Sequence, residues 1–194
     1  MTDRARKAEQ FRALHIPGEP LVLFNVWDAG GAKAVATAGA KAIATGSWSV
    51  AHAHGFADGE RMPLALAIDN LGRIVGATDL PVTINLETDV LFQRPPEQHD
   101  DAMVVEAITR ARAYAEAGAD GLFAPGLVDI TLIARLAEAS PLPLNIMVGD
   151  ATPPLRAFSQ HGVARVSHGP RAYLMAMKAL GEAARAAAGD ANIG

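Results

Sequence analysis

The stretch of this chain best placed to do chemistry is a turn of small residues followed by a single acid. Residues 42–45 read as a short strand of small and β-branched residues that runs into Gly46-Ser47-Trp48, and Asp58 follows ten residues later. Small residues leaving a strand let backbone N–H groups converge on an anion with no side chain in the way. A carboxylate downstream can hold a hard cation beside that anion. The pair predicts a site for a small carboxylic acid and a divalent metal. Asp58 has a second reading, as a loop carboxylate ahead of Gly59-Glu60 that caps the helix starting near Pro63.

Other residues carry weaker signals. Glu87 and Asp89 end a predicted strand over residues 82–87, the end at which barrel enzymes place their chemistry. They equally fit a solvated loop edge. Ser47 lacks the Gly-x-Ser-x-Gly elbow of a nucleophile, so its backbone N–H is its expected contribution, and Trp48 reads as packing, as a substrate wall, or both. His52 and His54, two apart, would point the same way on a strand, but a zinc-type site needs a third ligand at recognisable spacing. Asn145, inside a predicted strand over 144–148, either reaches the strand mouth to bind substrate or satisfies a buried backbone group. Gly149-Asp150 and Gly169-Pro170 fit anion cradles and plain turns equally well.

The composition narrows the class of protein. At 194 residues the chain predicts one domain, 1–194, with one sizeable core. A net charge of −4 and a sequence pI near 5.8 argue against nucleic acid and against an anionic membrane surface. There is no cysteine, which removes disulfides and thiolate metal sites. Residues 1–10 are polar and charged, unlike a signal-peptide core. No apolar run approaches the roughly 20 residues that span a bilayer. A cytoplasmic protein without a membrane partner is expected.

The elements that must position these residues alternate in type. Short apolar runs at 21–27, 42–45, 82–87, 120–124, 144–148 and 163–167 read as strands, and amphipathic stretches between them read as helices. Segments 39–46, 118–126 and 162–169 share one grammar: a glycine ending a helix, a short strand, then another glycine. Recurring strand–helix units are what a parallel sheet with crossover helices requires. The expected class is therefore α/β, a truncated TIM-type (β/α) barrel of about six parallel strands with surrounding helices. A full barrel has eight strands and typically about 250 residues, so two units are missing.

The motifs resemble those of the isocitrate lyase/phosphoenolpyruvate mutase superfamily, in its smaller bacterial branch. The likeness runs through Phe11-Arg12-Ala13-Leu14-His15-Ile16-Pro17-Gly18, Asn25-Val26-Trp27-Asp28-Ala29-Gly30, residues 42–59, Leu80-Pro81-Val82-Thr83, residues 112–127, 141–148 and 162–170. It implies Mg²⁺ and a small 2-oxo or 2-hydroxy acid, with a C–C or C–P bond made or broken next to an enolate. By that likeness the backbone at Gly46, Ser47 and Trp48 holds the substrate carboxylate. Asp58 and Glu87 hold the metal, and Asp89 is a supporting acid.

The departures from the family pattern are as informative as the likeness. Residues 81–90 look like the start of the family's third strand joined to the end of its fifth. Asn85 stands where an acid is expected, Leu86 where an arginine is expected, and the glycine loop and Glu-Asp pair are absent. About two βα units are deleted. Three expectations follow: Asp58 and Glu87 approach one another at the strand mouth, turnover of the family's usual substrates is weak, and the chain is a homo-oligomer with a contact near residues 81–101. The opposing reading is a non-catalytic descendant that keeps a small-acid pocket or serves as an assembling scaffold.

Overall fold

Each apolar run contains a strand among the described residues, and helices lie between the strands, because parallel neighbours must be joined by a crossover. The computed structural model describes residues 2–59, 61–84, 92, 94–150 and 152–190. Asn85, Leu86, Glu87 and Asp89 therefore lie outside the described residues, and with them the expected approach of Glu87 to Asp58. In chain order the elements are α1 (Asp3–Ala13), β1 (Leu21–Leu23), α2 (Ala29–Thr37), β2 (Ile43–Ala44), α3 (Ser47–Ala53), α4 (Leu64–Gly76) and β3 (Val82–Thr83). Then come α5 (Asp101–Glu116), β4 (Leu122–Ala124), α6 (Ile130–Ala139), β5 (Leu144–Met147), α7 (Leu155–Gln160), β6 (Arg165–Ser167) and α8 (Arg171–Asp190).

Strands β1, β6, β5 and β4 pair in that order, and β2 pairs with β3, all in parallel. Val26, just beyond β1, joins the two groups. Its N–H donates to Ala44 O at 2.8 Å, and its carbonyl accepts from Gly46 N at 3.3 Å. The result is a curved α/β sheet in the order β4-β5-β6-β1-β2-β3, a TIM-type barrel shortened by the missing units. Among the described residues its two ends, β3 and β4, are not paired with each other.

Alternation along the strands separates two faces. Leu122, Ala124, Leu144, Ile146, Val163 and Val166 pack outward against α5, α6 and α7, where Val104, Ile133, Leu136 and Phe158 are fully buried. Val26 and Ile43 pack against Ala32 of α2 and Ile74 of α4. A separate cluster joins Leu21, Leu23, Ala42 and Ala44 to Phe11 and Leu14 from α1 and the residue after it.

Two elements differ from the expectation. Residues 1–10 contain most of α1, which lacks a strong apolar stripe and so gave no periodic signal. Its local signature is Thr2, whose hydroxyl accepts from Ala5 N at 3.2 Å as an N-cap. The turn after β2 continues as the helix α3, so His52 and His54 are not on a strand. On a helix, residues two apart are rotated by roughly 200° about the axis. Each Nδ1 instead meets the carbonyl four residues back, Trp48 O and Val50 O, both at 2.9 Å.

Candidate active site

The C-terminal ends of β1, β2 and β6 are held together by one side chain, Asn25. Its Nδ2 donates to Thr45 O at 2.9 Å, and its Oδ1 accepts from His168 N at 3.0 Å and Gly169 N at 2.9 Å. The residue is 5 % exposed, so these bonds form away from water, where an unmade bond is costly. They fix the mouth at which α3 begins.

Gly46 is the N-cap of α3 and supplies no side-chain cap. The first N–H groups of a helix have no intrahelical acceptor, and those of Ser47 and Trp48 follow directly on the strand end. Ser49, in the same turn, is 1 % exposed, and its buried Oγ has no hydrogen-bond partner. A Cβ added to Gly46 would lie 3.3 Å from that Oγ, 3.6 Å from Gly169 O and 3.7 Å from the Asn25 Cβ. Glycine is thus the residue that leaves this turn uncrowded.

An aromatic wall stands beside the turn. Tyr173, from the first turn of α8, makes edge contacts with Trp27 at 5.1 Å and Trp48 at 5.9 Å between ring centroids, and Trp48 stacks on His52 at 3.6 Å. Asp28, at the end of the β1 segment, caps α2 by accepting from Gly31 N at 2.6 Å. Asp58 is exposed in the turn beyond α3. Among the described residues no group of three His, Cys, Asp or Glu is assembled to hold a metal ion. Mg²⁺ usually keeps several waters and takes one or two carboxylates plus substrate oxygens. Oxygen donors such as Asp58 fit that open kind of site, not an all-protein cage.

His168 closes the mouth after β6, with its Nδ1 buried and unpartnered and its ring 5.1 Å from that of Phe24. Burial holds this imidazole below its ordinary range, and the nearby Arg171 guanidinium adds to the effect. Burial lowers His15 as well. The sign of the consequence is fixed. The unfolded chain protonates these rings from about pH 6.5 downward, whereas the folded protein takes the protons only at lower pH, so stability falls as pH drops through that window. The urea midpoint is expected to decrease between pH 7 and pH 5.5, above the range in which ordinary carboxylates titrate. His168→Gln should show a smaller decrease; an unchanged decrease excludes His168 as its source.

The structure brings Gly46, Ser47 and Trp48 together with Asn25, Ser49, His168 and Tyr173, four residues to which the sequence reading gave no role in the site. Two of the four leave a trace in the sequence. Asn25 and Ser49 are polar residues in otherwise apolar or small-residue runs, which is the signature of a buried polar group with a task. Asn145 is not part of this turn. It lies in register with Arg165 of β6, is 4 % exposed, and has Nδ2 3.5 Å from Ser167 Oγ and Oδ1 without a partner.

Known proteins match both the sequence and the fold. The phosphoenolpyruvate phosphomutase family matches residues 11–89 and again 84–188. The two matches overlap at residues 84–89, within the segment read from the sequence as a junction between two strands. An uncharacterized protein of Mycobacterium tuberculosis is 31% identical over 230 residues, taking in 91% of this chain and 88% of that protein. That alignment is longer than the whole of this chain, so the relative carries internal sequence with no counterpart here. A crystal structure of a candidate phosphonomutase from Burkholderia cenocepacia J2315 is 40% identical with a TM-score of 0.88, covering 95% of this chain and 99% of that one. The structure of phosphonopyruvate hydrolase complexed with oxalate and Mg²⁺ shares the fold at a TM-score of 0.71 and 17% identity, covering 94% and 85%.

Proposed function

Because the chain belongs to the phosphoenolpyruvate phosphomutase family, a family of enzymes, we propose that it acts on a small 2-oxo or 2-hydroxy carboxylic acid through an enolate, making or breaking a C–C or C–P bond. The observation that carries this reading is the start of α3, where Gly46 leaves space and the buried Ser49 Oγ lacks a partner. The Ser47 and Trp48 N–H groups receive the substrate carboxylate there. Asn25 keeps them aimed, and Trp48 with Tyr173 excludes water from one side. Asp58 and Glu87 would hold Mg²⁺, with Asp89 as a supporting acid. When bound, the ion supplies stabilisation of the negative charge that develops on the enolate oxygen. Asn145, read from the sequence as a substrate contact, lies outside this turn and is given no role at it.

A second reading has its own support. Asn85 stands where the family pattern has an acid, and Leu86 where it has an arginine. A chain that binds the acid without turning it over fits those two facts. Titration with oxalate, with and without Mg²⁺, separates the readings when paired with an assay. Saturable, Mg²⁺-dependent oxalate binding is expected, weakened by Asp58→Asn. Gly46→Val should weaken it by about tenfold or more, roughly the loss of one good anion contact. Turnover of phosphonopyruvate, methylisocitrate or oxaloacetate should be slow, since one lost preorganised donor alone removes roughly 10²–10³ in rate. Ordinary enzyme rates would refute the weakened site; oxalate binding with no turnover of any 2-oxo or 2-hydroxy acid would favour the binding protein.

We also propose a homo-oligomer. Leu174, Met175 and Leu180 of α8 are exposed, each more than half, an unusual concentration of large apolar side chains on one helix. No described helix is long and apolar enough to cross a membrane. Light scattering at micromolar concentration tests the assembly, and a monomer there would refute it.

A further inference from the structure

The two ends of the sheet, not paired with each other among the described residues, border a cleft of about 900 Å³ whose wall is not that of the strand mouth. It is lined on one side by Ile68, Leu71 and Val75 of α4 with Val82 of β3, and on the other by Phe123 of β4. Val75 is 44 % exposed and Ile68 50 %, so this apolar wall is open to solvent. At its inner end stand Asn145 and Arg165, neighbours in register on β5 and β6.

Arg165 carries a charge that the described residues leave unanswered. No carboxylate lies within ion-pair distance of it among the described residues, and its buried Nε has no partner. Its Nη1 reaches only His15 Nε2, at 3.4 Å, while the guanidinium sits 5.9 Å from the centre of the Phe11 ring. His15 Nδ1 is 2.8 Å from Phe11 O, which fixes Nδ1 as the donor and leaves Nε2 as an acceptor without charge. The two acids that line the cleft are already engaged, Asp120 by Arg12 and Asp3 by Arg6 and Lys7. Burial lowers Arg165 to about 10, so it remains a cation at neutral pH. A half-buried, unpaired cation whose Nε is shut away from water, beside an unpartnered amide oxygen, is costly unless something answers it.

We propose that this cleft binds a monocarboxylate with an apolar chain or ring, its carboxylate on the Arg165 guanidinium and its body along the α4–β3 wall. Guanidinium–carboxylate pairing is the strongest neutral-pH match for such a group. The apolar surface of Leu71, Val75 and Val82 gives the body a place out of water. The site is separate from the oxalate site at the strand mouth and does not depend on it.

Isothermal titration with octanoate, octanamide and acetate tests the assignment on the full chain. Octanoate is expected to bind saturably, octanamide about tenfold or more weakly for want of the charge-assisted pair, and acetate weakly for want of the body. Arg165→Met should bring octanoate down to the level of octanamide. Should that variant fold poorly, Ile68→Asp, at a half-exposed position, places a like charge on the wall and should weaken octanoate by about tenfold. Neither variant should change oxalate binding. Three results would overturn the proposal: no octanoate isotherm, equal affinity for octanoate and octanamide, or unchanged octanoate affinity in the folded variants. A concentration-dependent dimer that Ile68→Asp dissociates, without octanoate binding, would assign the cleft to a second copy and overturn it too.

Discussion

Gly126→Val should leave little folded protein at 37 °C, the largest effect expected of any single substitution here. Gly126 follows β4 with φ +90°, a region that side chains with a Cβ rarely adopt. A Cβ at this position would also collide with Phe92 O, a backbone atom that cannot rotate away. Phe92 is 3 % exposed, packs into the cluster with Leu127 and Val104, and meets His99 edge-on at 5.4 Å. Relieving the clash must therefore lift Phe92 out of a close-packed core. Backbone strain of roughly 1–3 kcal/mol adds to a disrupted core contact, for a total on the order of 4 kcal/mol or more. Urea denaturation followed by circular dichroism checks this. Gly126→Ala should suffer almost as much, since the Cβ alone makes the clash. A Gly126→Ala protein within about 1 kcal/mol of the parent would show that the contact with Phe92 does not hold the segment after β4.

The second expected result concerns Asn25→Leu, a substitution close in volume that removes every hydrogen bond of the amide. Gly169 N–H then loses its acceptor inside the fold, and the tie between the ends of β1 and β6 weakens. A buried donor left unsatisfied costs roughly 1–3 kcal/mol, and the lost bonds add to it, so a destabilisation of about 2–4 kcal/mol is expected. Function should suffer more than folding. Gly46 N is held by Val26 O, one residue from Asn25, so a loosened mouth misaims the Ser47 and Trp48 donors. At a temperature where the variant is folded, oxalate affinity should fall at least about tenfold. Asn25→Asp keeps an acceptor for His168 N and Gly169 N but sets a carboxylate against Thr45 O, so it should retain more stability than Asn25→Leu. Equal oxalate affinity in parent and Asn25→Leu would remove Asn25 from the site.

The sequence made the strand–helix repeat legible because period and punctuation agree. Val163, Val166 and the apolar faces of α4 and α6 follow the spacing that burial demands, and glycines at 39, 118, 126 and 162 mark positive-φ turns. The junction, read at residues 81–90, was equally legible, since the start of one family strand ran into the end of another, and the two family matches overlap inside it. The helix α1 was not, because its stabilisation comes from Phe11 and Leu14 meeting Leu21 and Ala42 across the chain. Nor was α3, because Ser47-Trp48-Ser49 contains no strong helix former, and tertiary context outweighs so weak a preference.

The sequence by itself determined the kind of protein: a parallel α/β barrel two units short, with Gly46-Ser47-Trp48 at a strand end and Asp58 beyond it. Those features are local, set by neighbours a few residues apart and by side-chain periodicity. Only the tertiary structure decided that Asn25 ties β1, β2 and β6 into one mouth, that Ser49 faces that mouth with its Oγ unpartnered, and that Arg165 and Asn145 meet in a cleft between β3 and β4, which are not paired among the described residues. Each of these depends on residues 20 to 144 positions apart. Contacts over such distances follow from how the strands are ordered and registered in space, which no local pattern encodes.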